Sequence, residues 1–384
     1  MLELIVGHSL DPDAGYAAKE LVEHGLRELN GRTPRAAILL SAVDIAHEIL
    51  LAEIDRAFPG IALIGCTTDG ELSSREGFQE GTTTLILFHS DDLEFGTGIG
   101  PSLASDPSAA AQAAVDQARS SLSSEPCLCI ITPESLTASS SLILEGLRAE
   151  LGTDFPIFGG LAGDEWRFDT TKQFFGKDVL VDALPVLLIA GPLLFSHGVG
   201  RGWRPLGDPS LVTEASGNVV ARIGERSALE YYRHYLGENM LPSGECPLAV
   251  FEPDSSDHYL RAPLAFDAES GTITFAGDVP TGAKVQLTAA SRDDIIAGSR
   301  ASVEQATAAY PGERPTSAII FSCAARKQLL GTRTNEEGVI LRSALGADVP
   351  LAGFYAYGEF SPIAAGGEPR FHNETIITLL LGTH

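Results

Sequence analysis

The sequence predicts an α/β protein with mixed sheets, built from three related strand-helix-strand-helix-strand-strand units and an inserted strand-rich region. Three observations predict it. Short runs rich in β-branched and aromatic residues alternate with stretches of helical period. That order recurs three times along the chain, as a repeat architecture requires. A glycine-rich loop follows the equivalent strand in each copy, and 40 glycines are available for such transitions. Alternating strands and helices then point to mixed sheets covered by helices.

The first unit opens on the strand Leu4-Ile5-Val6 and the polar turn Ser9-Leu10-Asp11-Pro12. Residues 14–29 follow as a helix, with apolar side chains at 17, 18, 21, 22 and 26 on one face. Residues 36–40 read as a strand and 45–58 as a helix. After the Pro59-Gly60 break come a strand at 61–65, a glycine loop and a strand at 82–88.

The second unit repeats the order: strand 95–99, helix 108–122 behind Pro107, strand 127–131, helix 140–151, strand 155–159 and strand 186–189. The third unit is expected to start at the strand 285–288. It continues with helix 293–309, strand 318–321, a helix near 336–345, strand 349–353 and strand 375–381. Between them, residues 193–282 differ, with one aromatic helix at 228–236 and a hairpin turning at Glu269-Ser270-Gly271. Two domains are expected: 1–220 with two units, and 221–384 with the inserted elements and the third unit.

Charge excludes some functions. With 384 residues, 44% hydrophobic and 20% charged, the chain has the composition of a folded protein. Lys+Arg is 26 against Asp+Glu 51, a formal charge of −25, which repels phosphate backbones and anionic lipid. Neither nucleic acid nor a membrane is therefore expected as partner. No basic leader precedes the first strand, and the longest apolar stretch, 183–195, is broken by Pro185 and Pro192. The five cysteines (Cys66, Cys127, Cys129, Cys246, Cys323) form no paired framework, so free thiols in the cytoplasm are expected.

The three loops are where chemistry is expected. Gly65-Cys66-Thr67-Thr68-Asp69-Gly70-Glu71 and Gly353-Phe354-Tyr355-Ala356-Tyr357-Gly358-Glu359 share one glycine-to-glutamate spacing. Gly159-Gly160-Leu161-Ala162-Gly163-Asp164 is one residue shorter and ends in Asp164. Glycine lets backbone N–H groups approach a shared space, and a carboxylate could receive an ammonium. Gly and Asp are also the commonest turn residues, so such loops can equally be structural.

Six ordered motifs carry a family resemblance. Ile64 to Glu71, Phe158 to Asp164, and Gly202-Trp203-Arg204-Pro205-Leu206-Gly207 resemble the N-terminal half of FIST sensory proteins. Asp278-Val279-Pro280-Thr281-Gly282, Gly353 to Glu359 with Pro362, and Phe371-His372-Asn373-Glu374-Thr375 resemble the C-terminal half. The resemblance covers nearly the whole chain. It implies an intracellular sensor for small ligands such as amino acids, with haem and nitric oxide sensing in some members. Output to a histidine kinase or a cyclic-di-GMP enzyme is implied as well. The sequence ends at His384 with no output domain, so either signalling through a separate partner or ligand binding alone is expected.

Catalytic signatures are missing: there is no G-x-S-x-G elbow, phosphate-binding P-loop, H-E-x-x-H or C-x-x-C. Gly96-Thr97-Gly98-Ile99-Gly100 and Gly198-Val199-Gly200-Arg201-Gly202 lack dinucleotide spacing and read as strand ends. An enzyme with a dispersed active site stays an alternative to the sensor. The densest candidate cluster is C-terminal. Tyr355 and Tyr357, two apart, are expected to form one aromatic wall beside Gly353. Arg326 would hold a ligand carboxylate and Glu359 an amine, with Cys323, His372 and Asn373 nearby. Gly159, Gly160, Asp164, Thr67 and Glu71 are expected to contribute from the other loops. No cofactor or metal is expected unless haem binds, with His372 as ligand and His234 as a weaker choice.

Overall fold

In the computed structural model, which describes residues 1–253 and 257–383, consecutive strands of a unit are not consecutive in its sheet. The strand Glu3–Ser9 pairs antiparallel with Thr83–His89, which pairs antiparallel with Ala36–Ser41. Ala36–Ser41 then runs parallel to Ala62–Thr67. First, last, second, third is also the order of Glu94–Pro101, Ala183–Ala190, Pro126–Ile131 and Ile157–Gly160. It recurs in Leu193–Gly200, Ile376–Thr383, Ser317–Cys323 and Leu351–Ala356. The fold is therefore α/β with mixed sheets, as the sequence predicts.

Two features depart from the expected units. The first strand of the third group is Leu193–Gly200, and residues 285–288 belong to the strand Lys284–Ala289 of a separate sheet. An insertion enters after that first strand and returns just before the helix Arg292–Ala309, so the wrong strand precedes the helix in sequence. Each group also has a short hairpin between its third and last strands, which the sequence reading did not separate from the loop. These hairpins are exchanged in a cycle. Glu71–Ser73 joins the sheet of the third group, Gln173–Phe175 that of the first, and Glu359–Pro362 that of the second.

Burial on both faces explains the continuous apolar runs. Leu4, Val6, Ile38, Ile64, Leu128, Ile130, Phe158, Ile319, Phe321, Phe354 and Ile377 come from all three sheets and share one central core. The alternate residues face outward to helices: Ile5, Leu39 and Leu63 pack with Ala17, Leu21, Leu50 and Ile54. Side-chain caps start several of these helices, as where Asp13 accepts from Gly15 and Tyr16. The insertion has its own core around Val220, Tyr231, Tyr232, Ile273, Phe275 and Leu287.

Glycine has a steric purpose in the first strands. A Cβ on Gly96, Gly98 or Gly100 would lie 2.1, 1.9 or 2.1 Å from the carbonyl oxygens of Ala118, Ala114 and Ala110. These residues are thus not strand ends; they form a bare stripe on which the helix Pro107–Arg119 rests. Gly198 and Gly200 do the same beneath Arg292–Ala309. No helix among the described residues is long and apolar enough to cross a membrane. The five cysteines are free, three of them buried.

Candidate functional site

The strands Ala62–Thr67, Ile157–Gly160 and Leu351–Ala356 bring the three glycine loops to one junction. Three backbone hydrogen bonds close it: Asp69 N–H to the Tyr355 carbonyl (2.9 Å), Gly163 N–H to Thr67 (2.8 Å) and Tyr357 N–H to Leu161 (3.3 Å). Donors and acceptors occupy the same loop positions in every pair. A second set runs from Tyr355 N–H to Gly70 and from Leu161 N–H to Gly358. Its third member is absent, because Thr67 N–H turns to Lys172 where the second loop is one residue short. The strand glycines allow the approach: a Cβ on Gly65, Gly159 or Gly353 would lie 1.9, 2.1 or 2.0 Å from a neighbouring strand carbonyl.

The register also reassigns the carboxylates. Glu71 lies opposite Phe354, Glu359 opposite Gly160, and Gln173 opposite Cys66. The second unit's counterpart of the two glutamates is thus Gln173, not Asp164. Asp164 instead organises its own loop, accepting from the N–H groups of Phe168, Asp169 and Thr170 and from the Tyr357 hydroxyl (2.7 Å).

Two residues that sequence reasoning missed lie at this junction. Asp69 is fully buried, and the Lys327 ammonium sits 2.9 Å from its Oδ2. That ammonium donates to the Asp69 carbonyl (2.7 Å) and to Glu80 (2.6 Å), so neither Asp69 carboxylate oxygen receives a directed hydrogen bond. Burial pushes Asp69 up to about 6, with Lys327 pulling the other way. Glu71, held by the hydroxyls of Thr68 and Thr82, is pushed up to about 7 by burial. Tyr357 packs with Trp166 and Phe168 at centroid distances of 5.8 and 5.2 Å. Both of those rings are exposed, and Glu165, Trp166 and Phe168 hold φ of 57°, 62° and 50°. A left-handed backbone at three non-glycine residues is strain concentrated in one loop. Asp69 could have been found as the loop-1 counterpart of Tyr357; nothing in the sequence marks Lys327.

The other expected residues lie elsewhere in the third unit. Tyr355 and Tyr357 part rather than share a wall: the Tyr355 hydroxyl donates to Glu337 and its ring meets Phe78 of the first unit's hairpin. Arg326 is fully buried and turned inward, its Nη2 2.7 Å from Glu337 Oε1 and 2.9 Å from Ser299 Oγ. Glu359, with Oε2 held by Thr375, lies with Glu374 and Cys323 in a sealed acidic group, and burial pushes Glu359 up to about 8. Asn373 is buried beside them in sequence. His372 has no exposed surface and its Nε2 lies 2.9 Å from the Ser361 carbonyl, with burial pulling it down to about 3. His234 is exposed on the helix Ala228–Leu236. A sealed imidazole and one on an open helix surface do not fit haem ligation. Among the described residues no group of three or more His, Cys, Asp or Glu side chains is arranged to hold a metal ion.

Comparison with known proteins bears on this geometry. The FIST N domain model matches residues 36–226, and the FIST C domain model matches 228–362. An uncharacterized protein of Mycobacterium tuberculosis is 29% identical over 396 residues, 96% of this chain and 97% of the relative. An uncharacterized protein of Mycobacterium bovis is 26% identical over 393 residues, 96% of each chain. Among solved structures, a cyanuric acid hydrolase from A. caulinodans aligns over 99% of both chains. Its 10% identity and TM-score of 0.41 are too low to carry an inference of fold or activity.

Proposed function

The chain belongs to the FIST family, whose domains are generally sensory domains of signal transduction, and from that premise we propose that it senses a small zwitterionic metabolite, an amino acid, at the loop junction. One observation carries the reading: opposite charges, Asp69 and Lys327, meet where loops from all three units converge. Asp69 suits a ligand ammonium and Lys327 a ligand carboxylate, while Tyr357 and Trp166 supply a cation-π surface. Entry displaces the Lys327 side chain, which is 12% exposed, and shifts the strained loop 164–170. A ligand that binds the shifted form better moves the population toward it, and a sensor needs that differential affinity. The readout then passes to a separate signalling protein, a histidine kinase or a cyclic-di-GMP enzyme.

Calorimetry with the proteinogenic amino acids tests this reading. The expected result is that one or more binds the full chain with Kd below about 1 mM, at least about tenfold more weakly in Asp69→Asn. No binding to the unaltered protein, or equal binding by Asp69→Asn, overturns it.

A further inference from the structure

Two motifs singled out in the sequence, Asp278 to Gly282 and Phe371 to Thr375, meet through a residue that neither contains. Arg261 ends the strand His258–Arg261 of the insertion and is 5% exposed. Its Nε donates to the Asp278 carbonyl (3.0 Å), and its Nη1 to the carbonyls of Phe371 (3.1 Å) and Leu260 (2.9 Å). The guanidinium lies 4.3 Å above the Tyr259 ring and 5.4 Å from that of Phe371. These partners are neutral, and among the described residues no carboxylate pairs with it. Burial pulls Arg261 down to about 10. The carboxylates of Asp278 and Glu252 act on it through space without touching it. The guanidinium thus has charge compensation at a distance but lacks the directly contacting anion that a buried cation favours.

The place for a counter-charge is open beside it. Arg261 lines a cavity of about 180 Å³ between the insertion, the helix Ser140–Leu151 and the strand Pro369–His372. Among the described residues no group accepts from its Nη2. Arg148 and Arg370 also line the cavity; both contact Glu368, at 3.5 and 3.1 Å, and Arg370 lies 3.5 Å from Glu252. Asp278, the acid in the wall, comes within 3.7 Å of where a Cβ on Gly217 would sit, so its carboxylate reaches that way. Three arginines line this one cavity in a protein of net charge −25. Glu368 and Glu252 engage two of them and Asp278 shares the wall, so anion binding here rests on directed guanidinium contacts rather than on a net positive field. The volume holds several waters, hence a small ion or a short organic acid.

We propose that this cavity is a second ligand site, distinct from the loop junction, that binds a small oxyanion, a carboxylate or a phosphate, on the guanidinium of Arg261. A bound oxyanion would bridge the insertion and the third unit's hairpin through the residues of both motifs.

The test is calorimetry at low salt on the full chain with inorganic phosphate and, separately, malonate. At least one is expected to bind with Kd below about 1 mM, and Arg261→Gln to weaken it at least about tenfold. Should that buried substitution unfold the chain, Arg370→Gln, at a side chain 38% exposed, is expected to weaken binding by the same criterion. Binding of phosphate alone assigns a phosphate ligand, of malonate alone a carboxylate, and of both an oxyanion site of broad choice. Asp69→Asn is expected to leave this binding unchanged, which separates its failure from that of the loop-junction reading. Failure of both anions to bind, or equal binding in the folded arginine variants, overturns the proposal.

Discussion

The ammonium of Lys327 lies 2.9 Å from Oδ2 of Asp69, across 258 residues of sequence, and joins the first glycine loop to the helix that follows a third-unit strand. The carboxylate is fully buried and the ammonium nearly so. Replacing Lys327 by Met removes the cation and leaves the acid, so Asp69 rises above its present value of about 6. A carboxyl raised above its unfolded value binds its proton more tightly in the folded chain, so its charged form costs stability as pH rises through the folded pKa. Lys327→Met is expected to lose about 2 kcal/mol at about pH 8 and much less at about pH 5, a buried-pair loss discounted for the partial exposure of Lys327. Urea unfolding at the two pH values checks this; equal losses would show that packing of the Lys stem dominates.

Glu71 offers the complementary experiment. Burial pushes it up to about 7, so its contribution is lost as pH rises from the ordinary carboxylate range to about 7. Gln173 holds the equivalent position in the second unit without a charge. Glu71→Gln is therefore expected to be nearly neutral at about pH 5 and to stabilise by about 1–3 kcal/mol at about pH 8. A melting-temperature profile that stays parallel to that of the unaltered chain across this range counts against the assignment.

Arg326 separates a structural residue from a ligand-binding one. Its guanidinium is taken by Glu337, Ser299 and the Ile295 carbonyl, all within the core of the third unit. Arg326→Leu strands the Glu337 carboxylate and is expected to cost about 3–5 kcal/mol in urea unfolding. Arg326→Leu with Glu337→Leu is expected to recover most of that loss, because no buried charge is left alone.

The two tryptophans make the loop junction observable. Trp203 is buried, with its indole N–H on the Glu245 carbonyl, whereas Trp166 is exposed beside Tyr357. In Trp203→Phe the emission comes from Trp166 alone. Titration with a binding amino acid is expected to shift that emission, and titration with a non-binding one to leave it unchanged. A saturable calorimetric signal with no change at Trp166 would move the ligand away from the loop 164–170.

Legibility from sequence followed the range of the interaction. The helices Ala14–Leu29 and Ser140–Leu151 were readable to the residue, since an apolar face and a capping side chain are local signals. The exchanged hairpins were not, because strands of three residues such as Gln173–Phe175 have too few positions to display a period. Leu193–Gly200 was assigned to the wrong region because its helix lies beyond the insertion, at Arg292. At the candidate site the glycine spacing exposed Thr67, Glu71 and Tyr357, but neither Lys327 nor the Glu337 partner of Arg326 carries a periodic or motif signal. Ion-pair partners are set by tertiary approach, and one sequence contains no mark of it.

The strand glycines give the sharpest steric prediction. Gly353 pairs beside Ile320 in the parallel register, and a Cβ there would meet the Ile320 carbonyl oxygen at 2.0 Å and its carbon at 2.7 Å. Backbone atoms inside a sheet cannot move aside as a flexible side chain can, so the strand itself would have to shift. Gly366 is the matched control: its φ of 72° strains an alanine, but nothing lies within 4 Å of the added methyl. Gly353→Ala is expected to destabilise by about 3 kcal/mol or more, and Gly366→Ala by about 1 kcal/mol, both read by urea unfolding. Because Gly353 is followed two residues later by the Tyr355 carbonyl that accepts from Asp69, the first substitution should also loosen the loop junction. Faster amide exchange at Asp69 in Gly353→Ala, and not in Gly366→Ala, is the expected sign of that coupling. Unchanged exchange at Asp69 would mean that the loop geometry is held independently of the strand beneath it.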